Sequence, residues 1–206
     1  MYFMFYIVGL GNPGNEYDGS RHNIGREIVE KFINKNDFES FQVDKKNNAL
    51  ISGGEIAGID GKKTKKEKVM AILPETFMNK SGNSLKKIIT SAKKAKTLIV
   101  VHDDLDMGIG SAKIVFGKKS GGHKGIDSIN RAIKTRDYIR IKIGISPTTP
   151  TGKIKKPKGE DKVVKHVLGK FSPKEQKEIK KIEKKTVEVL EQIIQYGYLK
   201  AMNGYN

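Results

Sequence analysis

Apolar residues follow one another without a break from Tyr2 to Val8, the pattern of a strand buried on both faces of a sheet. The run ends in Gly9-Leu10-Gly11-Asn12-Pro13-Gly14, a loop by its glycines and proline. The period then changes. Ile24, Ile28, Val29, Phe32 and Ile33 fall on one helical stripe, with Asn23 placed to cap it. Ala49 to Ile59 and Lys68 to Leu73 read as strands, with Asp60-Gly61 between them as a hairpin signal. Leu85, Ile88, Ile89, Ala92 and Ala95 mark a second helix, and Ser81 is an N-cap candidate ahead of it. Thr97 to Val101 and Lys113 to Phe116 are short strands. Lys118 to Gly125 is a glycine-rich loop, and Ile126, Ile129 and Ile133 place a third helix after it. Tyr138 to Ile145 alternates as a strand, and Ser146 to Asp161, rich in proline, glycine and lysine, is expected to be a mobile surface loop. Ser172-Pro173-Lys174-Glu175 is a capping box with proline at the first helical position. It opens a long helix striped by Ile179, Ile182, Val189, Leu190, Ile193 and Ile194. Strands and helices interleave without a repeat. The expected fold is therefore one α/β domain over residues 1–206, with a mixed central sheet and helices on both faces.

Charge adds a partner to this picture. The 206 residues carry 40 Lys and Arg against 23 Asp and Glu, a net charge of +17, which asks for a polyanion and most commonly a nucleic acid. The competing explanation is a surface that simply favours lysine. The excess is uneven: residues 1–50 net −1, whereas 51–100 net +7, 101–150 net +4 and 151–206 net +7. Cysteine is absent, so disulfides and thiolate metal sites are excluded. The apolar opening is far short of the ~20 residues of a membrane span. It has no basic segment before it and runs into Gly-Asn-Pro-Gly, so no leader is expected and cytoplasm is the expected location.

Gly9-x-Gly11-x-x-Gly14 matches the dinucleotide fingerprint only as a string. That motif needs a helix N-terminus at the glycines, and here the helical stripe starts only at Ile24. The better reading is a loop at the carboxyl end of a central strand, where α/β sheets bind ligands. The loop holds Asn12 and Tyr17 and leads to His22. A second strand end, after Val101, carries His102-Asp103-Asp104. A carboxylate from that end can fix the tautomer of His22, which is the base-and-orienter half of a triad. No serine or cysteine sits in a nucleophile-elbow context, so the nucleophile is an activated water. His102, Asp103, Asp104 and Asp106 offer hard-metal ligands instead, but no His-x-x-x-His spacing or second carboxylate cluster completes the set. Asn79, in Phe77-Met78-Asn79-Lys80-Ser81-Gly82, is a neutral donor for an oxyanion or a water.

In order along the chain, Ile7 to Gly14, Glu16-Tyr17, Arg21-His22-Asn23, Phe77 to Gly82, His102 to Asp106, Gly121-Gly122-His123 and Arg140 to Ile145 resemble the bacterial-type peptidyl-tRNA hydrolases. Lys162-Val163-Val164 through Val167-Leu168-Gly169 is similar to that family's segment before the last helix. The resemblance implies a monomer that hydrolyses the ester between a peptide and the terminal ribose of tRNA, without metal or organic cofactor. By motif position it implies His22 as the catalytic base and Asp103 as its partner. It implies Asn12, Tyr17 and Asn79 as substrate-binding residues, and Lys113 and Lys142, with Arg140 close by, as contacts to tRNA phosphates. The sequence departs from the family where Lys124 replaces the common asparagine after Gly-Gly-His, and where Val115 stands at a position that is often basic. Lys124 is expected to meet the substrate, Lys118 and Lys119 to take up phosphate contacts, and residues 146–161 to form a basic lid. The alternative is a non-catalytic RNA-binding relative, a use to which the fold has been put in organellar intron splicing.

Overall fold

A computed structural model describes residues 4–60 and 63–206. Seven strands form one sheet in the order β2-β3-β4-β1-β5-β7-β6. They are β1 (Met4–Gly9), β2 (Gln42–Asp44), β3 (Ala49–Asp60), β4 (Lys63–Pro74), β5 (Leu98–Gly108), β6 (Ala112–Phe116) and β7 (Ile139–Ser146). The helices are α1 (Ile24–Lys35), α2 (Ala92–Ala95), α3 (Lys124–Ile133), α4 (Glu160–Leu168), α5 (Pro173–Tyr196) and α6 (Tyr198–Tyr205). β1 runs parallel to both β4 and β5, and β5 runs parallel to β7. The β2–β3–β4 and β6–β7 pairs are antiparallel, which makes the sheet mixed as expected. The predicted hairpin turn at Asp60-Gly61 joins β3 to β4, with Asp60 opposite Lys63, but Gly61 and Lys62 lie outside the described residues.

Alternation along the central strands builds two cores. Ile7, Val69, Ile99, Val101, Ile141 and Ile143 face α1, α5 and α6 in one apolar cluster. Tyr6, Val8, Leu98 and Val100 join Leu85, Ile126 and Ile129 in a second cluster on the other face. The α1 stripe is buried as predicted, with Ile24, Ile28, Val29 and Phe32 all at 0% exposure. The capping box of α5 forms: Ser172 Oγ accepts from Glu175 N–H, and the Glu175 carboxylate accepts from Ser172 N–H.

Four expectations need correction. The second helix is not continuous from Leu85 to Ala95. Met78–Ser84 is 3-10 helix, and only Ala92–Ala95 is α-helical. Gly82, Asn83 and Ser84 are poor helix formers, and Ser91 adopts an extended conformation and caps a separate turn by accepting from Lys94 N–H. Ser81 therefore caps no helix, and its hydroxyl donates to Met78 O at 2.8 Å. β7 is not half exposed. Seven of its eight residues are buried, because it lies between two strands and under helices on both faces. β5 continues through the His102-Asp103-Asp104 segment to Gly108, since β7 pairs alongside it. β2, α4 and α6 arise where the hydrophobic pattern gave no element.

The close approach of α1 to the sheet locates the functional site. A Cβ on Gly25 would lie 2.2 Å from Val101 O, so only glycine lets this first turn of α1 press onto β5. Main-chain bonds from Leu10 N to Val101 O and from Arg26 N to Leu10 O, both 3.0 Å, tie the loop after β1 into the same junction. Gly25→Ala is expected to lower stability by roughly 1–3 kcal/mol, the usual range for overpacking. Its urea midpoint beside that of the wild type is the check.

Candidate active site

The residues on either side of His22 fix its position. Arg21 donates to Lys170 O at 2.8 Å, pairs with Glu175 at 2.9 Å and lies over the Phe171 ring. Asn23 does not cap α1 with its side chain. Its Oδ1 instead accepts from Asn12 N–H at 2.8 Å, and its Nδ2 donates to Asn12 O at 2.9 Å. The side-chain Oδ1 of Asn12 in turn accepts from Met78 N–H at 2.8 Å. That leaves the NH2 of Asn12 as the polar group it offers to the cleft, which it lines together with His22.

Asp103, 2% exposed, lies beneath His22. Its Oδ1 contacts His22 Nδ1 at 2.8 Å and His123 Nε2 at 2.9 Å. Burial alone raises the Asp103 carboxyl, but the adjacent imidazoles of His22 and His123 outweigh it and hold the group well below the usual carboxylate range. An ionised carboxylate only accepts, so both imidazole nitrogens facing it carry hydrogen. The two histidines then differ in kind. His123 Nδ1 caps α3, accepting from Gly125 N–H at 3.1 Å and Ile126 N–H at 3.3 Å, so both of its nitrogens are committed. His22 is bonded through Nδ1, which leaves Nε2 for the cleft that it lines. His22 is therefore the candidate base, and His123 is a second hydrogen-bond partner of Asp103. Sequence reasoning placed His123 only in a motif and gave it no role.

His102 points to the other face of β5. Its Nδ1 donates to Asp103 O at 2.7 Å, and its ring meets that of His123 edge to face. Burial, with His123 and Arg140 nearby, holds its imidazole well below the ordinary histidine range, so it stays neutral. Strand alternation therefore parts Asp103 from His102, and ion pairs engage the other carboxylates of the run that suggested a metal. Asp104 pairs with Lys142, and Asp106 with Lys156. Among the described residues, the side chains close enough to share an ion are His22, Asp103 and His123, and their facing atoms are joined by the hydrogen bonds above.

Above the dyad is a cleft of about 320 Å³. One wall is apolar, made by Phe77, Met78 and Leu105 with Val163, Val167 and Leu168 of α4. Asn79 and Lys124 line it as well, both exposed. Lys124 Nζ pairs with Glu160 at 2.9 Å, joining the starts of α3 and α4. Tyr17 is not among the cleft residues, and its ring stands edge-on to that of Phe77, which is. Lys113 is exposed and sits directly opposite Lys142 across β6 and β7. Lys118 and Lys119 are exposed in the loop that follows. Arg140 departs from its expected place: it is 2% exposed, and its Nη2 donates to Lys118 O at 2.8 Å and Lys119 O at 3.0 Å. An inward-facing residue of a central strand cannot reach a phosphate on the surface.

A histidine held by a buried carboxylate, lining a mostly apolar cleft at the carboxyl ends of parallel strands, defines a hydrolase-type site on an α/β fold. Residues 6–206 match the model of one family, peptidyl-tRNA hydrolase, and the chain belongs to that family. The peptidyl-tRNA hydrolase of Clostridium tetani is 38% identical over 205 residues, 98% of this chain and 97% of that protein. That of Thermodesulfovibrio yellowstonii is 36% identical over 206 residues, 98% and 99% of the two chains. The crystal structure of peptidyl-tRNA hydrolase from Acinetobacter baumannii superposes with a TM-score of 0.81 at 31% identity, covering 97% of this chain and 93% of that one.

Proposed function

We propose that this chain hydrolyses the ester joining a peptide, or an N-blocked aminoacyl group, to the terminal ribose of tRNA, releasing tRNA for reuse in translation. The observation that carries the reading is the 2.8 Å bond from His22 Nδ1 to Asp103, which leaves Nε2 as a base at the cleft. His22 Nε2 takes a proton from water as the water oxygen attacks the ester carbonyl, and Asp103 balances the imidazolium that forms. The amides of Asn12 and Asn79 position the water or the peptide and stabilise the tetrahedral oxyanion. When that intermediate collapses, the ribose oxygen leaves with the proton held by His22, and the peptide departs as a carboxylate. An ester has a better leaving group than an amide, so a dyad and a water suffice. The apolar wall of α4 and Phe77, against which Tyr17 stands, fits side chains of the peptide. Lys124 is placed to meet the substrate once it parts from Glu160, an exposed pair that costs little to break.

On the tRNA side, Lys113 and Lys142 face each other in register, and a phosphate bound there shares Lys142 with Asp104. Lys118 and Lys119 extend the basic surface, and residues 146–161 act as a basic lid tethered through Lys156 to Asp106. No helix among the described residues is long and apolar enough to cross a membrane. The reading takes the enzyme as a cytoplasmic monomer. Its base test is release of an N-acetylaminoacyl group from tRNA by the purified wild-type protein, and no release would overturn it. Affinity for tRNA should fall as salt rises, and Lys113→Gln should reduce the slope of log K against log salt by about 0.7–0.9. An unchanged slope for Lys113→Gln and Lys142→Gln together would remove this surface from the reading.

A further inference from the structure

The loop between β6 and α3 carries His123 to Asp103 and also supplies Gly121, Gly122 and Lys124 to the cleft. Its chain turns through Gly117, Gly121 and Gly122 with φ values of 66°, 67° and 84°, and its Lys118 and Lys119 side chains face solvent. Within the loop, Gly122 N–H donates to Ser120 Oγ at 3.3 Å and His123 N–H to Ser120 O at 3.4 Å, both long. Among the described residues, the hydrogen bonds that hold the main chain of 118–122 to the rest of the molecule are the two from Arg140.

Arg140 is an unusual group for a core. Burying a guanidinium costs several kcal/mol unless its donors are used. Here Nη2 serves two successive loop carbonyls rather than a carboxylate, Nη1 is buried without a partner, and the nearby acid Asp104 pairs with Lys142. Arg140 also lies on the same sheet face as His102, two residues behind it in register along the adjacent strand. A fixed positive charge there disfavours protonation of His102.

We propose that Arg140 is a positioning residue for the hydrolysis. It anchors the 118–122 loop to β7 and so sets His123 against Asp103, rather than contacting tRNA. The proposal rests on the reading of the site as a peptidyl-tRNA hydrolase. Failure of that reading is seen separately, as a wild-type protein without activity.

The two roles for Arg140 predict different data. With N-acetylaminoacyl-tRNA as substrate, Arg140→Gln keeps an amide donor for one carbonyl and removes the charge. Arg140→Met removes both. A positioning role predicts that kcat falls at least tenfold in Arg140→Met and less in Arg140→Gln. In Arg140→Gln, which still holds one loop carbonyl and so keeps Lys118 and Lys119 in place, the tRNA dissociation constant and its salt slope stay at wild-type values. It also predicts that the downfield imidazole N–H proton resonance of His123, assigned by its loss in His123→Asn, weakens in Arg140→Met and persists in Arg140→Gln. In Arg140→Gln, a salt slope lowered by about 0.7–0.9 with weakened tRNA binding would overturn the proposal in favour of a phosphate contact. Wild-type kcat in Arg140→Met would overturn it outright. If Arg140→Met does not fold by circular dichroism, Arg140→Gln and Arg140→Lys decide it. Reduced kcat with an intact salt slope supports positioning, and a reduced slope in Arg140→Gln with recovery in Arg140→Lys contradicts it.

Discussion

Replacing His22 by alanine should lower the rate of ester cleavage by about 10²–10⁴-fold while leaving tRNA affinity unchanged. The large effect follows from geometry. Of the three imidazoles near Asp103, His123 has both nitrogens engaged, and His102 faces the opposite side of β5 with its Nδ1 on a carbonyl. Only His22 has a nitrogen at the cleft that is free to take a proton. The small effect on binding follows from location, because the proposed phosphate contacts are on β6, β7 and the loop beyond. The His22 side chain is 13% exposed, so removing it leaves no sealed core cavity. Single-turnover cleavage measured beside equilibrium tRNA binding separates the two quantities. Loss of both together would place His22 in binding rather than in chemistry.

Asp103→Asn should be as damaging as His22→Ala, with a fall of about 10³–10⁴-fold, the size seen when a triad carboxylate is neutralised and its histidine turns to the wrong tautomer. The asparagine amide can donate to His22 Nδ1, which moves the ring proton to Nε2 and blocks the base. Any imidazolium that forms then lacks its counter-charge. His123 meets the same conflict, since its Nε2–H needs an acceptor while its Nδ1 is committed to the start of α3. The variant should keep its far-ultraviolet circular dichroism and tRNA affinity while losing kcat. Wild-type kcat in Asp103→Asn would remove the carboxylate from the account.

Most of the fold was legible because its helices and central strands carry uninterrupted stripes. α1 and α5 bury every residue that the spacing picked out, α3 buries Ile126 and Ile129 with Ile133 half-buried, and β1 buries Tyr6, Ile7 and Val8, with Tyr2 and Phe3 outside the described residues. The site was legible in part for the same reason: His22 and Asp103 stand next to strand-end signals, and sheet topology brings such ends together. What escaped was set by tertiary contacts. The apolar run of β5 stops at Val101, but pairing with β7 carries the strand through Asp103, and alternation then sends His102 and Asp103 to opposite faces. α4 is short, with Val167 its one buried residue, and its remaining apolar side chains line a cleft rather than a core. Arg140 reads as surface charge in a lysine-rich chain, and nothing local marks it as buried. His123 did leave a signal. It occupies the cap position before α3, where no Ser, Thr, Asp or Asn is available, so its own Nδ1 must serve and its tautomer is thereby fixed.

The charge also acquires a direction. The segment that holds His22 and Asn12 nets −1 over residues 1–50, and the cleft above it is mostly apolar, as suits a peptidyl ester. The basic positions proposed to meet phosphate lie outside that segment, on β6, β7 and the loop before α3.

The central claim is that a single nitrogen, Nε2 of His22, takes the proton from the attacking water. Chemical rescue of His22→Ala tests it most directly. With N-acetylaminoacyl-tRNA bound, added imidazole should restore cleavage in proportion to the concentration of its free base, with no effect of the same additions on Asp103→Asn. A His22→Ala rate that stays flat across the imidazole series, or that already equals the wild type without it, would contradict the account.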